Sequence, residues 1–228
     1  MILLVNDLKK RYRSYSNVKS KVSREVKNGT LIKLKKGVYT DDRAAPGYVF
    51  AGAIYSPSYV SFETALQIHS LIGPHKAVFY SATKDKDKHK NYVNDLGEFF
   101  YQDIPNDVFH QGTIYLKDSG YLFLVAGKEK AICDTLYKAN SLTSIKKLKD
   151  FLFKELGLNE DVFWGLNTDQ ILQFCPLYKS RSLHNLELMI RKRLGLPVAA
   201  KAKKKASEKD SAQEAWDALA AFRNKYQD

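Results

Sequence analysis

Between Val18 and Thr40 the apolar residues change their period, and this change limits the local fold more than any other feature of the chain. Val18, Val22 and Val26 recur every four residues, as on one stripe of a helix. Ser16 or Asn17 can cap its start, and Gly29 suits its end because glycine enters the left-handed conformation without steric cost. The spacing predicts a helix over 18–28. The period then falls to two. Ile32 and Leu34 share one strand face and Lys33 and Lys35 the other, Lys36-Gly37 turns the chain, and Val38-Tyr39-Thr40 returns it. Ahead of this unit, Asn6 or Asp7 can cap a short helix through Leu8–Tyr12, which Tyr15-Ser16-Asn17 ends. Helix, turn, helix and basic hairpin form an expected module over 1–45, whose end overlaps an expected linker at Asp41–Gly47.

Charge gives this module its expected role. The 228-residue chain carries a net charge of +12. Residues 1–40 hold eleven Lys and Arg against Asp7 and Glu25, a net +9, so most of the excess lies in the first sixth of the chain. Solubility alone does not call for such focusing, whereas a polyanion does. Opposite the valine stripe lie Ser20, Ser23, Arg24 and Lys27, flanked by Lys19 and Lys21. A helix fits the major groove of B-DNA; Arg grips guanine with two hydrogen bonds, and Ser bonds to bases or phosphate. Lys33, Lys35 and Lys36 on the hairpin are placed for phosphates beside the groove, with further backbone contacts from Arg11 and Arg13. Double-stranded DNA is the expected partner, through a winged-helix module.

The rest of the chain reads as a second domain over 46–198 and a tail over 199–228. Helices are expected at Tyr48–Ile54 and from Val60 to His69, the latter with Ser61 as its cap. Four β-rich runs follow, Ala77–Ala82, Glu98–Asp103, Gly112–Leu116 and Tyr121–Ala126, and predict an antiparallel sheet. Helices are then expected at Glu129–Lys138, Ser144–Leu156, Thr168–Phe174 and Leu183–Leu194. The fold class is α+β: an N-terminal winged helix, then an α/β domain with an antiparallel sheet and C-terminal helices. Residues 197–211 read as a basic tether. It leads to a helix over Ala212–Tyr226 whose stripe of Trp216, Leu219, Phe222 and Tyr226 could bind a partner, pack on its own domain or dimerise.

Other chemistries find little support. Cys133 and Cys175 lack paired spacing and read as buried thiols. The five histidines are scattered, the chain has no glycine-rich phosphate loop, and no cofactor or metal is expected. The run Ser56–Ser61 with Glu63 has serines but no histidine in a predictable relation to them, so it reads as the start of a helix. Asp85-Lys86-Asp87 reads as a segment of a solvated loop over Lys84–Lys90. Lys130 and Asp134 stand four apart on one helix and predict an ion pair rather than an acid–base couple. No run of about 18 apolar residues marks a membrane span, and a cytoplasmic location is expected.

Three segments carry a family resemblance. Lys27–Tyr39 resembles the wing of the AbiEi-type antitoxins of abortive-infection toxin–antitoxin systems. Pro57–Leu66 is similar to the start of their second domain, and Glu129–Tyr137 to the helix that follows their sheet. The resemblance covers roughly residues 15–140. It implies a winged helix that binds inverted repeats in its own promoter and represses the operon. It also implies a domain that counters a nucleotidyltransferase-like toxin without a stable complex, as in type IV systems for phage defence. Many members have two helices before the one at Val18, where this chain has room for one. The resemblance transfers no catalytic motif. Direct capture of the toxin, or an enzyme acting on toxin or nucleic acid, stays open as an alternative, as does a monomer or a dimer.

Overall fold

A computed structural model describes residues 1–74, 77–86, 89–139 and 142–197. Met1–Ile190 cluster as one compact unit, and the described residues after Ile190 fall outside it. The expected tail helix, and with it Trp216, Leu219, Phe222 and Tyr226, lies outside the described residues.

The chain is mixed helix and sheet. It opens with a short strand β1 (Ile2–Leu4), which no apolar alternation had announced, and helix α1 (Val5–Arg11). That helix starts and ends before the expected Leu8–Tyr12, because Asp7 sits in its first turn and accepts the Leu4 backbone N–H at 2.8 Å. Helix α2 (Val18–Lys27) begins where the Asn17 side chain accepts the Ser20 N–H at 3.0 Å. Strands β2 (Ile32–Lys35) and β3 (Val38–Thr40) form the hairpin. Gly29 and Gly37, at φ +75° and +84°, take the backbone through the helix end and the hairpin turn. β1 adds to β3, giving an antiparallel order β1-β3-β2.

This small sheet has two buried faces. Leu3 packs with Leu8, Val22 and Leu31 under the two helices, with Tyr39, Val18 and Val26 half-buried around them. Ile32, Leu34 and Val38 belong to the large core instead. Asp42 in the expected linker accepts the N–H groups of Ala44 and Ala45 and the Tyr121 hydroxyl, each at about 3 Å. The hairpin and the expected linker are thus packed and hydrogen-bonded against the domain that follows.

That domain begins with a 3₁₀ turn, Gly47–Phe50, and α3 (Ala51–Ile54), close to the expected helix. Strand β4 (Ser58–Val60) and helix α4 (Phe62–Ile68) follow. Then come β5 (Val78–Thr83), β6 (Lys90–Asn94), β7 (Gly97–Asp103), α5 (Asn106–Phe109), β8 (Thr113–Asp118) and β9 (Tyr121–Ala126). The sheet order is β6-β7-β5-β4-β9-β8. Three neighbouring pairs are antiparallel, but β5 with β7 and β4 with β9 run parallel, so the sheet is mixed. A period of two is the same in both directions, and the antiparallel expectation had no means of separating them.

Helices α6 (Lys128–Lys138), α7 (Ile145–Asp150), α8 (Glu160–Trp164), α9 (Thr168–Phe174) and α10 (Arg181–Leu194) complete the described chain. α7 begins at Ser144, whose side chain accepts the Lys147 N–H, and continues into a π-type turn, Phe151–Glu155. Cys133 and Cys175 are buried free thiols, as their apolar surroundings predicted. No described helix is long and apolar enough to cross a membrane.

Candidate nucleic-acid interface

The valine stripe decides what α2 shows to solvent. Val22 is buried and Val18 and Val26 are half-buried against the small core, which turns Lys19, Ser20, Ser23, Arg24 and Lys27 outward, all exposed. On the hairpin, Lys33 is exposed on the face it shares with Tyr39, its partner across the ladder, and Lys36 is exposed at the turn. The register slips between Lys33 and Lys35, so the expected alternation breaks there and Lys35 is half-buried. Arg13 is exposed beyond the end of α1. None of Arg13, Lys19, Arg24, Lys27, Lys33 and Lys36 forms a salt bridge with a described residue. Their charge is directed at solvent, where an arriving polyanion would find it.

Two of the expected contact residues are otherwise engaged. Arg11 donates to Asp41 at 2.8 Å and ties α1 to the end of β3. Lys21 pairs with Glu25 one helical turn away, and its Nζ lies 4.8 Å from the centre of the Tyr15 ring and 5.7 Å from that of Tyr12. The hydrogen bond with Glu25 raises the Lys21 pKa and lowers that of Glu25. Lys21 thus braces α2 against the turn that precedes it. Lys9 was missed: it stands over the groove between α1, α2 and the hairpin, one turn after Val5.

The other polar constellation lies in the core. Lys130 and Asp134 on α6 form the expected ion pair at 2.7 Å, and both side chains are 0% exposed. The Asp134 carboxylate also accepts the hydroxyls of Tyr178 at 2.6 Å, Tyr59 at 2.9 Å and Ser61 at 2.6 Å. Lys130 in turn donates to the Tyr178 oxygen at 2.6 Å. Burial lowers the Lys130 pKa against the pull of Asp134 and drives those of Tyr59 and Tyr178 well up, keeping both phenols protonated as donors. Ser61 precedes α4 as expected but does not cap it with its side chain, because its hydroxyl is committed to Asp134. Each charged group here is closed off from solvent by its partners, so the cluster is suited to holding β4, α6 and the Cys175–Tyr178 turn together. Among the described residues no three of His, Cys, Asp and Glu gather as a metal-binding group.

Compared with known proteins, the chain matches no protein family and no curated protein.

Proposed function

We propose that the protein is a sequence-specific DNA-binding regulator whose first forty residues act as a winged helix. In this reading α2 enters the major groove, with Arg24 and the two serines Ser20 and Ser23 at base edges. Lys27, Lys33 and Lys36 meet phosphates on either side. The observation that carries it is the row of outward cations on α2 and the hairpin, exposed and without a described salt-bridge partner, in the region holding nine of the twelve excess positive charges. We further propose, from the three segments that resemble AbiEi-type antitoxins, that it represses its own operon and counters a nucleotidyltransferase-like toxin without a lasting complex.

Footprinting of the DNA upstream of its gene tests the repressor reading. Protection of an inverted repeat at low ionic strength is expected, and its absence with folded protein contradicts that reading. Co-expression with a neighbouring nucleotidyltransferase-like gene tests the antitoxin reading. Growth should be rescued, and the two proteins should not co-purify.

A further inference from the structure

The groove between α1, α2 and the hairpin encloses about 760 Å³, within the size range of small-molecule sites. Val5, Leu8, Val18, Val22 and Tyr39 give it an apolar lining. Lys9, Lys19, Lys33 and Lys36 stand around it, all exposed, and no described carboxylate lines it. An inorganic anion would leave the apolar lining unused, and a neutral oil would leave the four ammonium groups unused. The rigid edge of a duplex could reach the lysines but carries nothing that would fill the hollow between the valines. A flexible chain ending in one negative charge satisfies both: burial of the chain supplies affinity, and the ammonium groups fix its head.

We infer that this groove binds a long-chain carboxylate. The alkyl chain lies along Val5, Val18 and Tyr39, and the head group takes hydrogen bonds from the lysines at the rim. Lys19, Lys33 and Lys36 are also assigned to DNA, so an occupied groove lowers DNA affinity. That coupling rests on the DNA reading; the binding itself does not.

Calorimetric titration of the full chain with decanoate, below its micelle concentration, tests the assignment. Saturable uptake of one molecule per chain is expected, with decanol weaker by about tenfold or more, the scale of one lost charged hydrogen bond, and acetate weaker by at least as much through lost burial of the alkyl chain. Val5 is exposed and stands outside the proposed DNA contacts. Val5→Asn should weaken decanoate about fivefold through lost apolar burial and leave promoter binding in place. Lys19→Glu with Lys36→Glu should abolish decanoate uptake while the circular dichroism spectrum stays that of the parent. No saturable uptake, equal affinity for decanol, or an unchanged affinity in Val5→Asn overturns the proposal. Decanoate should also displace promoter DNA, and failure to do so overturns the coupling. Protein that takes up decanoate but binds no DNA keeps the groove assignment and overturns the DNA reading; protein that binds DNA but takes up no decanoate does the reverse.

Discussion

Lysine occupies two opposite environments in this protein. On α2 and the hairpin, Lys19, Lys27, Lys33 and Lys36 are exposed and have no described salt-bridge partner. In the core, Lys130 is wholly buried and held by Asp134 and Tyr178. The first arrangement costs little in folding, because water solvates each ammonium, and it leaves a field for a distant polyanion to feel. The second costs desolvation of two charges, and it is tolerable because Tyr59, Ser61 and Tyr178 complete the hydrogen bonding of the carboxylate. Residue type alone therefore says little about role. The state of the partners separates a surface built for binding from a knot built for holding elements together.

The sharpest way to break this comparison is at the knot. Asp134→Ala strands a buried ammonium and should cost about 3–5 kcal/mol in urea unfolding. A loss below about 1 kcal/mol would mean that water reaches the pair. Arg24→Ala should behave in the opposite sense. Promoter binding should weaken by about 1–3 kcal/mol while stability stays within about 0.5 kcal/mol of the parent. An unchanged gel-shift titration would remove Arg24 from the reading set. Lys33→Ala should weaken specific and nonspecific DNA alike and reduce the salt slope by about one.

The smallest effect belongs to an intermediate case, the half-buried hydrogen bond from Tyr48 to Asp118. The Tyr48 hydroxyl is the main reason that the Asp118 carboxyl titrates below its ordinary 3.8. The unfolded chain then binds the proton first, so this contribution is complete above pH 3.8 and is lost as pH falls through the folded value. Tyr48→Phe should cost at most about 1 kcal/mol at neutral pH, and the difference from the parent should shrink in acid. A constant difference across the acid range would detach the effect from Asp118.

The legible stretches of the sequence were those where one period and one cap agree. Val18, Val22 and Val26 with Ser16 or Asn17 as cap placed α2, and Thr168–Phe174 appears with its expected bounds. The unread strands are short or lie at an edge. β1 has three residues, and β6 contributes only Tyr92 to the packing while Lys90, Asn91 and Val93 face outward. The knot was half legible. The spacing of Lys130 and Asp134 announced an ion pair, but helical spacing carries no information on depth. The hydroxyls that make burial tolerable come from 44 to 75 residues away. The groove was hidden for a similar reason, since it depends on how α1 lies over the hairpin and not on any run of residues.

The central claim is that the outward face of α2 and its hairpin lie against duplex DNA, and a salt titration of promoter affinity tests it most directly. If about six phosphates are neutralised, affinity should fall on the order of a thousandfold between 50 and 200 mM salt. Reversing Lys27, Lys33 and Lys36 to glutamate should flatten that dependence. Affinity that barely responds to salt, or that survives the triple reversal, would contradict the account.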